Sequence, residues 1–581
     1  MLKTTLTRQS RLAEIMNPET LSPWKLVRRF DRDFIKAYRP FPHGYIADVL
    51  KPWVAQDMLP GAGCAIFAQT GTGKSTFLLD SLIPVAESYG AEVMYFTFRS
   101  AVALQTKRRI AEKFTPEILE DVTDSGLQKL RQIGPCRVHT IHELSSRKVR
   151  TELINCVEKI RFLVIDEVHL AVSDATFNGM TEDVLRFLIM QLGRNCARVY
   201  MTATPQLILD PLIALEKELD SKMPPRKYRQ RAALPVPDFK KNCYYADVAA
   251  GEEFTIYPFL ANYSYLSLVF FQRKESLIEH LMKHDTTKTL IFVSSLEEGE
   301  QLCQKLGSEN AEFISATSKN SLKSDEYATL IKSHTFTKKF LIVTRWLDCG
   351  VDLCDLEFKT IVSDTIWEEE VLQMVGRKRI LSQADALTVY LWTPSKNHIS
   401  RLLRTLETKI DEICEFQTRT GSCDLCKLPE YAFAKLLPNQ MYSINVNSFA
   451  LHQLKSHATT LREYLTWFEE SEEEAEERLA AEIHSWFPGA APYRWLDRKA
   501  PNLTTLIELL DQTAGKDLDK NDAIDFSNAF CLLAGIPRRK AQQGQIATTT
   551  INKYLQERKL PYSLTNLSSA GRKAVWNIKK G

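Results

Sequence analysis

Two blocks of the chain carry the same repeating pattern, and that repeat decides what the chain can fold into. From Ala65 to about Pro205, short apolar runs alternate with longer amphipathic stretches; the runs are CAIFA, EVMYFTF, CRVHTI, RFLVIDE and ARVYMTAT. The pattern returns from about Lys288 in TLIFVSS, AEFISA, FLIVTR, KTIVSD and ALTVYLW. Short apolar runs separated by helix-length segments are parallel strands covered on both sides by crossover helices. The polar stretch SKMPPRKYRQRAALPVPDFKK joins the two blocks, which implies two lobes and a hinge. The expected fold class is therefore α/β: two tandem parallel-sheet domains followed by a mainly helical C-terminal accessory region. The expected boundaries are an N-terminal extension at 1–55, a first domain at 56–225, a linker at 226–255, a second domain at 256–400, helices at 401–530 and a basic end at 531–581.

Composition narrows the class. A chain of 581 residues is too long for one core. With 44% apolar and 25% charged residues, disorder is not the expectation. The net charge of +3 gives no global basic field, so any nucleic-acid surface must be local. The start, MLKTTLTRQSRLAEIM, has no apolar core of signal-peptide length. No uncharged apolar run approaches the roughly 18–20 residues that span a bilayer. Cysteines such as Cys64, Cys196 and Cys349 sit inside apolar stretches and read as buried reduced thiols. A soluble, cytoplasmic protein with no membrane partner is expected.

The most specific chemical signal is Ala68-Gln69-Thr70-Gly71-Thr72-Gly73-Lys74-Ser75-Thr76, between the strand CAIFA and the helix STFLLDSLI. Glycines at 71 and 73 let backbone approach phosphate oxygens without a Cβ in the way. The helix N-terminus that follows adds free N–H groups and a positive dipole end. Lys74 reaches the β- and γ-phosphates of a nucleotide, and Ser75 is placed to ligate Mg²⁺. A strict phosphate loop has Gly where this chain has Ala68. Asp166-Glu167-Val168-His169 ends the strand FLVI, 92 residues after Lys74. Asp166 is placed to hold Mg²⁺ and Glu167 to polarise an attacking water. ATP and Mg²⁺ are thus the expected cofactors.

These residues resemble the superfamily 2 helicases of the DEAD/DEAH-like type. Ala68–Thr76 looks like their motif I, A-x-T-G-x-G-K-T, which accommodates Ala68. Asp166–His169 resembles the DEAH-type motif II with Val in third place, and Thr202-Ala-Thr204 resembles motif III. Arg99 and Thr140 fall where strand-contacting motifs Ia and Ib lie. Ser294 lies in a segment similar to motif IV. Thr344, Gly350 and Asp352 have the spacing of motif V, and Gln373-Met-Val-Gly-Arg377-Lys-Arg379 resembles motif VI. The resemblance spans residues 65–380 and implies two RecA-like domains with ATP between them, touching Lys74 and Asp166 on one side and Arg377 or Arg379 on the other. It implies that Gln373 joins the catalytic set, that Gly350 and Asp352 join the nucleotide site, and that His169, Thr202, Thr204, Arg99, Thr140, Ser294 and Thr344 couple to nucleic acid. Motif VI here ends Gly-Arg-x-Arg, with Ile380 where the common form has its last Arg. That variant is similar to viral origin-binding and phage or mobile-element helicases. Both Arg377 and Arg379 are expected to face the nucleotide, with Ile380 turned into the core.

The function implied is an ATP-dependent helicase or translocase, on DNA ahead of RNA, with 3′→5′ polarity, alongside replication or repair proteins as further partners. An RNA helicase, an ATP-switched clamp without strand separation and a protein-remodelling P-loop ATPase are the alternatives. Three further features carry bland and sharp readings. Cys414, Cys423 and Cys426 include a C-x-x-C, but His398, His452 and His457 lie at no standard zinc spacing, so zinc is not expected. Seven Glu between Glu469 and Glu477 read as a solvated helix face. Residues 536–581 hold ten Lys or Arg against the one acidic Glu557. They read as a helix and two strands, compatible with a winged helix whose wing touches phosphates or with a basic tail packed on the motor. Trp576 reads as core.

Overall fold

The computed structural model describes residues 26–30, 35–38, 41, most of 44–222, and 254–580 apart from short gaps, of which 316–323, 345–351, 419–427, 537–545 and 568–574 are the longest. The expected linker, apart from its last residues, lies outside these residues, as do Gly350, Cys423, Cys426 and the expected wing at 568–574. The chain divides into two compact units: residues 1–268 with 286–492, and residues 269–285 with 493–581. Among the described residues, no helix is long and apolar enough to cross a membrane.

The first unit holds both repeats. Its first sheet comprises β1 (Leu26–Phe30), β2 (Ile35–Tyr38), β3 (Gly63–Phe67), β4 (Glu92–Thr97), β5 (Gln132–Ile133), β6 (Cys136–Thr140), β7 (Ile160–Asp166), β8 (Ala197–Thr202) and β9 (Phe254–Pro258). The order is β1-β2-β9-β3-β8-β7-β4-β6-β5. All neighbours are parallel except the two edge pairs, β1 with β2 and β5 with β6. Every residue of β3, β7 and β8 is buried, as strands sandwiched between helices must be. Alternate residues serve opposite faces: Ala65, Phe67, Leu163 and Ile165 pack in one core, Cys64, Ile66, Phe162 and Val164 in the other. The domain boundary expected at 256 falls inside β9, which pairs with β3 and belongs to this sheet. The N-terminal extension also contributes to it through β1 and β2.

The second sheet of this unit contains β11 (Lys288–Phe292), β12 (Ala311–Ile314), β13 (Phe340–Val343), β14 (Phe358–Ser363) and β15 (Leu387–Trp392), in the parallel order β12-β13-β11-β14-β15. The strand before them, β10 (Leu266–Phe271), is divided between the two units. A long helix, Lys396–Thr418, follows β15, and an antiparallel hairpin of β16 (Ala432–Leu436) and β17 (Tyr442–Val446) leads into the helix Ser448–Trp467. This hairpin interrupts the region expected to be helical. The Glu-rich run opens the helix Glu472–Ser485, where Ser471 Oγ accepts from Glu474 N and the acidic first turn suits the helix dipole. The run is a mostly exposed face, but Glu476 is buried.

In the second unit, β18 (Arg494–Trp495) pairs in parallel with the end of β10. The helix Leu503–Thr513, β19 (Asp517–Leu518), the helices Lys520–Ala534 and Thr548–Glu557, β20 (Tyr562–Leu567) and β21 (Val575–Lys580) follow in that order. The strands form an antiparallel sheet in the order β19-β21-β20. Leu506, Leu510, Phe526, Phe530, Ile551, Leu555 and Trp576 share its core, so Trp576 is a core residue. The boundary expected at 531 falls within the helix Lys520–Ala534.

One buried polar cluster locks the first sheet to its helices. Arg198 on β8 forms a two-pronged pair with Glu216 of the helix Leu209–Lys222, Nε to Oε1 and Nη2 to Oε2, each 2.7 Å. Arg198 also donates to the Gly193 and Gly61 carbonyls, and the Tyr200 hydroxyl donates to Glu216. Both charges are almost wholly buried. Glu216→Ala strands a buried guanidinium, so it should cost about 3–5 kcal/mol and lower the first unfolding midpoint in urea. The paired change Arg198→Met with Glu216→Leu should recover most of that loss; if the pair is as unstable as Glu216→Ala, the cluster is not what fixes this helix.

Candidate active site at the cleft between the lobes

The loop Ala68–Gly73 leaves the end of β3, and the helix that follows opens at Lys74. Gly71 and Gly73 have φ of 88° and 90°, a left-handed conformation open to glycine. At Gly71 the space matters too: a Cβ there would stand 2.6 Å from Arg379 Nη1. The loop is braced at several points. Thr72 Oγ1 donates to the Gln69 carbonyl at 2.7 Å, Thr72 O accepts from Ile46 N, and the Gln69 amide pairs with the Asn262 backbone at 3.0 and 3.3 Å. Lys74 Nζ donates to the Ala68 carbonyl at 3.1 Å and lies 3.9 Å from Glu167 Oε1. Ser75 and Thr76 occupy the first turn of the helix.

Asp166 closes β7 beside this loop. Its Oδ1 accepts from Glu167 N at 3.0 Å and its Oδ2 from the Tyr95 hydroxyl at 2.6 Å. Glu167 has φ of 49°, a strained conformation for a residue with a side chain. Burial, then the adjacent Glu167 charge, pushes Asp166 up to about 6. Burial acts on Glu167 as well, but Lys74, His169 and Arg377 outweigh it and hold that carboxyl down to about 2. Glu167 thus keeps its charge, and Asp166 is the member whose ionisation a cation would favour.

A nucleotide phosphate with Mg²⁺ fits these residues. Two glycines leave the inner face of the loop bare, Thr70 Oγ1 is buried without a hydrogen-bond partner, and an ammonium and two carboxylates converge on the same space.

From Glu167 a chain of polar contacts runs into the second lobe. His169 Nδ1 lies 3.4 Å from Glu167 Oε2 and 3.0 Å from Thr202 Oγ1. Thr202 Oγ1 accepts from Thr204 N at 3.0 Å. Thr204 Oγ1 then accepts from Gln373 Nε2 at 3.3 Å, on the second-lobe helix Glu368–Val375. Gln373 in turn accepts from Arg377, its carbonyl from Nε at 3.1 Å and its Oε1 from Nη2 at 3.3 Å. Arg379 Nη2 bonds Asp352 Oδ1 at 2.7 Å, and Arg377 Nη1 is 4.0 Å from the same oxygen. Backbone bonds between Leu353 and both Arg377 and Arg379 zip these two segments together. Both arginines therefore stand at the cleft, Arg377 within the field of Glu167 and Arg379 over Gly71. Ile380 is 38% exposed, so the expectation that it turns into the core fails.

Of the remaining sequence candidates, Arg99 shares a cavity with His169 and Gln373 of this cluster, while Thr140, Ser294 and Thr344 are not among its contacts. Arg99 forks onto Asp174 at 2.5 and 3.1 Å, and it lines a cavity of about 430 Å³ with His142, Asp174, Phe177, Glu369 and Glu370. Thr140 caps a short helix by pairing with Glu143. Ser294 bonds Asp364 at 2.9 Å, and Thr344 follows β13 just before the undescribed 345–351.

One participant escaped the sequence reading. The helix Ser448–Trp467 bridges both lobes. At its start, Asn447 Nδ2 donates to Thr181 Oγ1 at 2.8 Å and Asn178 O at 3.1 Å, Ser448 N donates to Glu182 Oε2 at 2.6 Å, and Phe449 enters the first-lobe core. Ten residues on, His457 Nε2 meets Glu369 Oε1 at 2.8 Å and its ring stacks on Trp367 at 3.9 Å and 8°. His457, a zinc candidate by residue type, serves here as a lobe contact. Cys414 is half-buried on the helix Lys396–Thr418, and His398 packs edge-on against Trp392. Asn447 is itself a legible helix cap, but nothing in its spacing says what the helix docks on.

Residues 52–210 match the model of the DEAD/DEAH box helicase family. A stretch of 140 residues is 33% identical to a protein of Halobacterium salinarum described as a putative DNA 3′-5′ helicase Rad25, covering 23% of this chain and 22% of that relative's length. Among solved structures, the Mycobacterium smegmatis helicase Lhr bound to ssDNA and AMP-PNP is similar at 14% identity and TM-score 0.38, over 63% of this chain and 48% of that one. A variant of S. cerevisiae Dbp5 bound to RNA and ADP BeF3 is similar at 15% identity and TM-score 0.39, over 61% of this chain and 89% of that one. The residues matched by the family model lie in the first of the two parallel-sheet domains.

The contact across the cleft can be measured directly. A double-mutant cycle of Thr204→Val and Gln373→Leu, read from urea unfolding of the full chain, should give a coupling of about 0.5–1.5 kcal/mol. Strict additivity would mean that the two side chains do not meet in solution.

Proposed function

We propose that this chain, whose residues 52–210 form a DEAD/DEAH box helicase domain, hydrolyses ATP between its two lobes and uses the cycle to translocate on or unwind DNA. The observation that carries the reading is the line of polar contacts from Glu167 to Arg377, a 3.4 Å approach of Glu167 to His169 followed by hydrogen bonds through Thr202, Thr204 and Gln373. A structural ion pair needs no such line; a device that reports the state of one lobe to the other does.

The roles follow from position. The bare loop of Gly71 and Gly73 wraps the phosphates, and Lys74 holds the β- and γ-phosphates by charge. Ser75 and Asp166 are the residues that would hold Mg²⁺, which when bound neutralises phosphate charge. Glu167, kept ionised by Lys74 and His169, orients the attacking water and takes its proton. Arg377 and Arg379 bring guanidinium charge from the second lobe to the γ-phosphate, where planar, permanently charged groups are needed. Loss of the γ-phosphate removes what both arginines grip, so the lobes part and the grip on the strand changes. Asp352 completes the nucleotide side, and Arg99, Thr140, Ser294 and Thr344 are the candidates for backbone contacts, which carry no base sequence. DNA and a 3′→5′ direction are supported by the printed description of the Halobacterium relative, and DNA also by the Gly-Arg-x-Arg form of motif VI.

Glu167→Gln should leave nucleotide binding nearly intact and cut hydrolysis by at least about a hundredfold. Arg377→Ala and Arg379→Ala should each lower turnover by roughly 10³-fold with smaller effects on binding. The deciding assay is ATP hydrolysis by the full chain with single-stranded DNA, duplex DNA or RNA as stimulator. Stimulation by RNA alone would overturn the DNA assignment, and near-normal hydrolysis by Glu167→Gln would overturn the assignment of the base.

A further inference from the structure

The C-terminal module of the second unit has a use that the ATP cycle does not absorb. Its described elements run helix, strand, helix, helix, strand, strand, with an antiparallel three-stranded sheet behind the helices. The third helix, Thr548–Glu557, buries Ile551, Tyr554 and Leu555 and turns Thr549, Thr550, Lys553 and Gln556 outward at helical spacing. It is held rigidly. Asn552 Nδ2 donates to the Leu564 carbonyl at 2.8 Å and its Oδ1 accepts from Leu564 N at 2.7 Å, while Tyr554 packs edge-on against Phe530 of the preceding helix at 5.5 Å. Lys553 lies 3.7 Å from Glu557, both on the outward side, and Arg558 covers the Tyr554 ring.

Charge is divided within the module. Residues 508–525 hold six acidic side chains against two basic, whereas residues 536–581 hold ten basic against one acidic. Among the described residues of the basic half, Lys553, Arg558, Lys559, Lys579 and Lys580 are exposed against the one acidic Glu557, with Lys580 paired to Asp511, and this excess of positive charge suits a polyanion. The outward residues are hydroxyl, amide and ammonium groups, with no aromatic or aliphatic anchor of the kind that fills the centre of a protein interface. A helix about 10–12 Å across fits the major groove of B-form DNA, about 12 Å wide, and is excluded from the deep, narrow major groove of A-form RNA.

We propose that this module is a duplex-DNA reader: the helix Thr548–Glu557 enters the major groove and presents Thr549, Thr550, Lys553 and Gln556 to base edges. Gln pairs with adenine and Lys with guanine, while Thr packs on thymine methyl groups. A motor that grips only backbone has no sequence preference; this helix gives the chain one and anchors it at a chosen site. The inference rests on the DNA reading of the motor, and the assays for the two are separate.

The test uses the full chain without nucleotide and a pool of 30-base-pair duplexes of random sequence, selected by binding and then sequenced. A short common sequence should be enriched. Lys553→Ala with Gln556→Ala, both exposed changes, should abolish that enrichment and weaken binding to the selected duplex by roughly tenfold or more, while thermal stability and single-strand-stimulated hydrolysis stay unchanged. Binding without enrichment, or enrichment that survives the double change in a folded protein, overturns the proposal and leaves this face to a protein partner. Absence of DNA-stimulated hydrolysis with enrichment intact would instead sink the motor reading and leave the reader standing.

Discussion

The bond between Gln373 and Thr204 is where the two halves of the site become one. Everything on the first-lobe side, from Lys74 to Thr204, can form within that lobe alone, and so can the grip of Gln373 on Arg377. This contact crosses, as does the bond from Gln206 Nε2 to Glu368 Oε1 at 2.6 Å. A buried network of this kind is favourable when every member has a partner and costly when one is left out. A single neutral hydrogen bond contributes only about 0.5–1.5 kcal/mol net, because water replaces it on opening. The closed arrangement is therefore held lightly, and a bound phosphate, met by charges from both sides, can decide it.

The same logic explains why Glu167 is the most constrained residue at the site. Its backbone is left-handed, its carboxylate is buried, and its charge depends on Lys74, His169 and the second-lobe Arg377. Such strain persists only where the surroundings over-determine it. Here the surroundings are two adjacent strands, β7 and β8, whose ends carry Asp166 and Thr202 side by side.

Much of this was readable from sequence because a parallel strand buried on both faces leaves an apolar run, and ten such runs became strands of the expected lobes. The loop Ala68–Thr76 was legible because glycine and lysine at those positions have few other reasons to occur after a strand. What escaped is long-range. The run FTIYP is as apolar as any other, and nothing local says that it returns to the first sheet as β9. The hairpin of β16 and β17 is short and partly exposed, so it lacks the signal that marked the central strands. Ile380 was expected in the core from the Gly-Arg-x-Arg reading of motif VI, but its side chain is partly exposed just after Arg379, which bonds the Leu353 backbone. His457 invited a metal reading, since residue type cannot reveal that Trp367 waits 90 positions earlier in the chain.

The helix Ser448–Trp467 makes the lobes a closed loop. They are joined once by the chain that follows β9, after Pro258, and again by a strut whose two anchors, Asn447 and His457, are ten residues or about 15 Å apart along the axis. A second tether in parallel with the first confines Arg377 and Arg379 to a small volume around the phosphate loop, which raises their effective concentration there. Separation of the lobes then requires the weaker anchor to slip first. The stacked ring of His457, rather than the linker, becomes the part that sets how far and how often the cleft breathes.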